Sequence, residues 1–506
     1  MNFINLLFPV ISVLLTTFSF SSDKNAFIVF FSLIPLFYSM KRTRKKFLCM
    51  FIYASVLHLR SVSWIVNATE FLPFEKEKNF VFLFLFLVII AIVQGAIISF
   101  PFVFWENIRK NAIVDVFSFS ALYILGEFVQ EYIPYISFPW VRLSAVVAQK
   151  EVVIQSASLL GGLFISFIIV SINGLICVIL ENIIFKKQVY LPIICLSVII
   201  GLNTIFSITR INNLKYKENT TILLVQGNFS GEEKRTSDKN IITQKYLDLS
   251  YNNLSPDVKL VIFPETAMPF SFNEHNDGTK IVSKFAEKCD VTILTGICTY
   301  EDEKIFNSAI AFYPDRSFSD AYSKRILVPF GEKIWFYDTL LKIMPDIFGE
   351  MSTFTEGISP LPIKTKAGKI GVVICYESIY PWAARSTVKN NADILTIISN
   401  DSWFGESKAM YQHHNHAILR AVENKRYVLR VSSTGITSVI SPTGKIIDYA
   451  EPFKEDTLKA YVTSIKERSL YSIIGDIIII PSVIIFVYSV ILCFLQDNKK
   501  LPYRQR

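Results

Sequence analysis

The apolar residues of this chain are sorted along its length, and that sorting limits the fold more than any single motif. Residues 1–208 are hydrophobic runs divided by short polar loops. Residues 210–470 have the mixed make-up of a water-soluble domain, and residues 477–495 are apolar again. A helix needs roughly 20 predominantly apolar residues to cross a bilayer. Runs 1–22, 79–105, 156–180, 188–209 and 477–495 meet or approach that length without an internal charge. Run 26–40 is short but charge-free. Run 46–66 carries His58 and Arg60, and run 113–130 carries Asp115 and Glu127. The pattern predicts about eight spans. The first run lacks a basic leader and an A-x-A cleavage pattern, so it reads as a retained helix, not a signal peptide.

Charge then orients the spans. The chain has 51 Lys and Arg against 43 Asp and Glu, a net charge of +8. Lys41, Arg42, Arg44, Lys45 and Lys46 follow the second span, and Arg109 and Lys110 the fourth. Lys186 and Lys187 follow the sixth, and Lys499, Lys500, Arg504 and Arg506 the eighth. These are alternate loops, on one side of the membrane if there are eight spans. The positive-inside rule makes that side the cytoplasm. Both termini are then cytoplasmic and the soluble domain lies outside. Because the excess is spread over membrane loops, a nucleic-acid-binding patch is disfavoured. The division expected is a helical bundle at 1–208, a soluble domain at 209–470, and a last span with a short tail at 471–506.

Within the soluble part, short β-branched apolar runs recur at 221–225, 258–263, 291–297, 308–313, 370–374 and 394–398. Further runs lie at 427–431, 436–440 and 458–462. Helical stretches fit at about 236–253, 276–288 and 407–424. Strands alternating with helices imply a layered α/β domain, and Gly444 after Ser-Pro-Thr marks a hairpin turn. The seven Cys have no C-x-x-C spacing, which disfavours a zinc ribbon or a disulfide framework. His413, His414 and His416 lack a completing carboxylate or Cys at zinc spacing and read as ordinary helix residues. No metal and no cofactor is expected.

Three polar groups lie just beyond apolar strands, where layered α/β folds place ligand-contacting side chains. They are Glu265, Lys324 and Cys375. Singly, a Cys is more often inert core, and a Lys or Glu a solvated surface group. Together the three suffice for acyl transfer. A carboxylate takes the thiol proton, the thiolate attacks a carbonyl, and the ammonium stabilises the oxyanion.

The sequence around these residues resembles a known family. Phe-Pro-Glu-Thr-Ala at 263–267, Tyr-Ser-Lys-Arg-Ile-Leu-Val-Pro-Phe-Gly-Glu at 322–332, and Gly-Val-Val-Ile-Cys-Tyr-Glu-Ser at 371–378 are similar to the three signatures of the nitrilase superfamily. The flanking spans are similar to its membrane branch, the apolipoprotein N-acyltransferases. So are Phe-Pro-Trp at 138–140, Val-Gln-Gly-Asn at 225–228, Ser-Asn-Asp-Ser-Trp-Phe-Gly at 399–405 and Gly-Ile-Thr at 435–437. The resemblance implies an αββα sandwich outside the bacterial inner membrane, joined to the helical bundle. It implies Glu265 as general base, Lys324 as oxyanion stabiliser and Cys375 as nucleophile. Glu332, Tyr376 and Glu377 match supporting positions. The implied donor is a phospholipid, typically phosphatidylethanolamine, and the implied acceptor is the N-terminal amine of a diacylglyceryl-cysteine lipoprotein. One departure stands out: where the family often has a Trp after Val-Gln-Gly-Asn, this chain has Arg235 near that place. Apolar segments at 268–272 and 335–337 are candidate lids.

Two other functions compete. A membrane-tethered amidase or nitrilase would share the same three residues, and release of ammonia from an amide would reveal it. A transporter would need polar residues spread through paired, broken helices, and residues 1–208 show few.

Overall fold

The computed structural model describes residues 4–71, 76–133, 135–273, 275–329, 331–333, 342 and 353–500. The chain divides into two compact units. One comprises Met1–Ile65, Phe82–Arg210 and Ile474–Arg506, and the other Val66–Val81 and Ile211–Ile473.

Among the described residues, five helices are long and apolar enough to cross a membrane: Lys46–Thr69, Glu77–Ile108, Ala112–Val129, Gly162–Ile184 and Tyr190–Asn213. Shorter apolar helices occupy Leu7–Ser19, Glu151–Leu160 and Ile479–Leu495. The expected count of eight full spans is therefore not reproduced, and the second run shows why. Residues 26–40 do not form one helix; they break at Leu33, between Val29–Ser32 and Ile34–Arg42. Pro35 in the second helix has no N–H to continue the ladder. Asn173 repairs the break: its Oδ1 accepts the Leu33 N–H at 2.8 Å and its Nδ2 donates to the Val29 carbonyl at 2.9 Å. The run at 156–180 is also shortened. Gly161 adopts φ 80°, which splits off a short turn and starts the long helix at Gly162.

Asp115, Glu127 and His58, inside the weak spans, are each held by a partner. Asp115 pairs with Arg109 at 3.1 Å. Glu127, in the last turn of Ala112–Val129, is fully buried and accepts the Leu143 N–H at 3.0 Å. His58 Nδ1 bonds the Ala54 carbonyl at 2.8 Å, and its Nε2 lies 3.0 Å from Gln130. By contrast Phe84, Ile89, Ile184, Leu202, Ile205 and Phe494 lie exposed. Such a surface suits lipid and is costly in water.

The second unit is built on two six-stranded sheets. The strands are β1 (Thr220–Gln226), β2 (Val258–Ile262), β3 (Thr292–Glu301), β4 (Lys304–Phe312), β5 (Tyr322–Ser323), β6 (Ile363–Thr365), β7 (Gly368–Ile374), β8 (Ile394–Ser399), β9 (Val428–Ser432), β10 (Thr437–Ile440), β11 (Ile446–Ala450) and β12 (Asp456–Val462). One sheet runs β12-β1-β2-β3-β4-β5 and the other β11-β10-β9-β8-β7-β6. The central strands β1, β2, β3 and β7, β8, β9 are parallel.

Parallel strands buried on both faces read as continuous apolar runs, and alternate residues separate into two cores. Ile222, Leu224, Leu260 and Ile262 face Val372, Ile374, Ile398 and Leu429 between the sheets. Leu223, Val225 and Val261 face outward onto Ile242, Tyr246 and Val282 of helices Lys239–Asn253 and Asp277–Lys288. Helices Pro381–Lys389 and Ala409–Asn424 pack on the second sheet, giving the αββα layering. Asp238 and Asn276 start the first two of these helices by accepting the N–H groups of Asn240 and Gly278. Gly444 makes the turn between β10 and β11 with φ 83°.

Candidate active site

The three signature segments converge at strand ends of the sandwich. Glu265 lies three residues beyond β2, on a loop stitched to β3. The Gly296 N–H donates to the Pro264 carbonyl and the Met268 N–H to the Gly296 carbonyl, each at 3.2 Å. A Cβ at Gly296 would sit 2.6 Å from the Glu265 Cα, so only glycine lets the loop pass this close. The loop's apolar continuation is not a lid: Met268 and Phe270 are buried in the core under the outer helices. The other candidate lid, at 335–337, lies outside the described residues.

Lys324 follows β5 and is 1% exposed. Its ammonium donates to Glu265 Oε1 at 2.9 Å and to Glu332 Oε1 at 2.8 Å. Asn307, on β4, braces the same two oxygens: its Nδ2 lies 2.8 Å from Glu265 and 2.9 Å from Glu332, and its carbonyl accepts the Lys324 N–H at 2.8 Å. Nothing in the motif reading singled out Asn307. The one signal was a polar residue at the edge of an apolar strand run. The remaining carboxylate oxygens accept backbone N–H groups, Asn400 for Glu265 and Val328 for Glu332, both at 2.8 Å.

These contacts set the charges. Burial alone pushes the Glu265 carboxyl up, the direction expected for a base. The Lys324 charge and the bonds from Lys324, Asn307 and Asn400 overrule it, and Glu265 is held below its ordinary value. Burial likewise pulls Lys324 down, yet Glu265, Glu332 and Cys375 lift it well above the usual lysine value. Glu265 therefore rests as a carboxylate beside the Lys324 ammonium.

Cys375 ends β7 and opens a 3-10 turn at φ 49°, the left-handed region that L residues seldom occupy. A strained strand-to-turn corner of this kind presents a nucleophile at the sheet edge. Burial pushes its thiol well up, Glu265 and Asp401 add to that, and Lys324 opposes it. The resting group is the thiol.

Glu377 locks the corner to the Lys324 segment. Its Oε2 accepts from the Ile374 N–H at 2.7 Å and the Tyr322 hydroxyl at 2.9 Å; its Oε1 accepts from the N–H groups of Arg325 at 2.6 Å and Ile326 at 3.3 Å. Tyr376 is buried, and its hydroxyl accepts from Tyr380 at 3.1 Å. A second layer lies behind. His413 Nε2 donates to the Cys375 carbonyl at 3.0 Å, and its Nδ1 is 3.2 Å from Asp401. Asp401 also binds Arg430 at 2.6 Å and Ser399 at 2.6 Å. His413 is thus no ordinary helix residue but a prop for the strained corner. A Cβ at Gly435 would fall 2.1 Å from Asp401 Oδ2, which accounts for the glycine there.

Comparison with known proteins now bears on this geometry. Residues 222–469 match the carbon-nitrogen hydrolase family, and residues 12–175 match the apolipoprotein N-acyltransferase N-terminal domain. An apolipoprotein N-acyltransferase of Wigglesworthia glossinidia brevipalpis is 31% identical over 372 residues, 70% of each chain. The chain belongs to the apolipoprotein N-acyltransferase family. The Haemophilus influenzae member is 26% identical over 489 residues, 93% of this chain and 91% of that one. Among solved structures, Saccharomyces cerevisiae Nit3, of the nitrilase superfamily, is similar over 48% of this chain and 90% of that one, with 23% identity and a TM-score of 0.38. This member joins apolar membrane-type helices to a carbon-nitrogen hydrolase domain, and it is an acyltransferase of the membrane.

Proposed function

We propose that the chain moves a fatty acyl group from a phospholipid, phosphatidylethanolamine by preference, to the N-terminal amine of diacylglyceryl-cysteine lipoproteins through a thioester on Cys375. The observation that carries this reading is the buried Lys324 ammonium, 2.9 Å and 2.8 Å from two carboxylates and electrostatically coupled to the Cys375 thiol. Glu265 accepts the thiol proton as sulfur attacks the ester carbonyl, and the new oxyanion is stabilised by Lys324. One negative charge leaves Glu265 and one appears on the oxyanion, so the buried cluster keeps its net charge throughout. That balance lets a low-pKa carboxylate serve a high-pKa thiol, provided attack and proton transfer go together. Collapse expels the lysophospholipid alkoxide, which takes the proton back from Glu265. The acceptor amine then attacks the thioester, its proton passes to Glu265 and on to the leaving thiolate, and the amide departs. Glu332, Asn307, Tyr376 and Glu377 position these groups.

Residues 1–208 and 471–506 supply the membrane part, and 209–470 the catalytic domain on the periplasmic face of the inner membrane, with both termini cytoplasmic. The alternation of basic loops supports this orientation.

Incubating the full chain with phosphatidylethanolamine alone tests the chemistry. One acyl chain should appear on Cys375 by intact mass, labile to hydroxylamine, and adding a diacylglyceryl-Cys peptide should discharge it onto the peptide amine. Cys375→Ala should show neither event. Transfer by the Ala variant would remove Cys375 as nucleophile, and ammonia release from amides without acyl transfer would favour an amidase.

A further inference from the structure

We propose that Lys234 anchors the phosphodiester of the lipid donor, so that the headgroup phosphate is bound as a recognised part of the substrate. This rests on the acyl-transfer reading of the site.

Lys234 sits on the short helix Gly231–Thr236 just after β1, fixed by a reciprocal cap. The Ser230 hydroxyl accepts the Glu233 N–H at 3.1 Å, and the Glu233 carboxylate accepts the Ser230 N–H at 2.7 Å. From there the half-buried Lys234 ammonium reaches the loop of Glu265. It lies 3.4 Å from the Glu265 carbonyl and 3.3 Å from the Thr266 carbonyl. Both contacts are long and neutral. An ammonium carries three donors, and among the described residues no carboxylate forms an ion pair with this one. Burial pulls it down to about 8, against the opposing charge of Glu265. A half-buried cation whose partners among the described residues are carbonyls is a site short of an anion.

The donor supplies one at the right distance. In a glycerophospholipid six bonds separate the sn-1 ester carbonyl carbon from phosphorus, a span of about 6 Å. Lys234 lies against the main chain of the residue whose carboxylate holds Lys324. One residue therefore separates the two cations, and an ester carbonyl at Lys324 brings the phosphate within reach of Lys234. Charge demands such a partner. Glu265, Glu332 and Lys324 together carry one net negative charge, which repels an approaching phosphate unless a cation faces it. A lysine ammonium serves phosphate as a compact point charge. The acceptor, a diacylglyceryl thioether, has no phosphate, so Lys234 marks the donor half-reaction.

The test compares acylation of Cys375 by phosphatidylethanolamine and by p-nitrophenyl palmitate in detergent-solubilised full-length protein. In Lys234→Gln the ratio of kcat/KM for the phospholipid over the neutral ester should fall about 10-fold, chiefly through KM, as expected for one lost charge-assisted bond. Lys234→Arg should restore most of it. In the wild type, a phosphate-methylated triester of the same lipid should lose a similar factor, and this arm needs no variant to fold. Equal losses with both donors would mean that Lys234 merely holds the Glu265 loop, and the anchor would be refuted. So would an unchanged ratio in the variant, or a triester used as well as the diester. If the wild type formed no acyl-enzyme from phospholipid, the acyl-transfer reading itself would fall, and the anchor with it.

Discussion

Replacing Glu377 by Gln removes a charge and almost no volume, and its four hydrogen bonds make the effect calculable. A carboxylate accepts on both oxygens, whereas an amide has one oxygen and one NH2. With the amide oxygen toward Arg325 and Ile326, the NH2 meets the Ile374 N–H and the Tyr322 hydroxyl. The hydroxyl can rotate to accept; the Ile374 N–H cannot. One buried backbone donor is orphaned, at about 1–3 kcal/mol, and the bonds that survive lose their ionic acceptor, roughly halving each. Relief of the burial that pushes the Glu377 carboxyl up offsets part of this. The net loss should be about 2–4 kcal/mol. In a domain of this size 1 kcal/mol shifts Tm by about 2–4 °C, so tryptophan-fluorescence melts should fall by about 4–16 °C. The same carboxylate ties the Cys375 corner to the Lys324 segment, so single-turnover acylation should slow about 100-fold, the cost of a displacement near 1 Å. A variant that melts within about 2 °C of wild type and acylates at its rate would refute the claim that Glu377 sets the spacing of nucleophile and ammonium.

Lys324→Arg should lose about 10²–10³ in acylation rate although charge is kept, because a guanidinium cannot fit as one compact donor between two oxygens; near-normal turnover would overturn this. Cys375→Gly should be more stable than Cys375→Ala by about 1 kcal/mol, since only glycine adopts φ 49° without strain; equal melts would mean that the corner carries no strain. Glu265 is held low in the folded chain, so its charge and the stability it brings are present above the unfolded value and lost only as pH falls through the folded one. Acylation rates should therefore stay flat from pH 7 down to about 4.5, and an acidic limb centred near pH 6 would contradict the Lys324 pairing.

The layered α/β unit was legible because parallel strands buried on both faces have to be apolar throughout. The runs at 221–225, 258–263 and 370–374 became β1, β2 and β7 almost residue for residue. Glu265, Lys324 and Cys375 were legible because each follows such a run inside a distinctive signature. Asn307 was not, since its role depends on two carboxylates that reach it from other loops. His413 was read as ordinary for a related reason. Helical periodicity shows which residues share a face, but not that Asp401, Arg430 and the Cys375 carbonyl meet His413 there. The apolar runs of the first unit gave membrane character but overstated helix continuity at 26–40, because a break can be satisfied from a distant helix.

That break bears on how the protein is made. The Leu33 N–H and the Val29 carbonyl are satisfied by Asn173, which follows Leu33 by 140 residues. Backbone groups left open in hydrocarbon are costly. At a synthesis rate of 5–20 residues per second, Asn173 arrives roughly 7–28 s after Leu33. Until then the Val29 carbonyl has the Ser32 hydroxyl at 3.1 Å as its partner, and the turn lacks the link that Asn173 adds. The break at Leu33 is thus completed from far along the chain, by one side-chain amide.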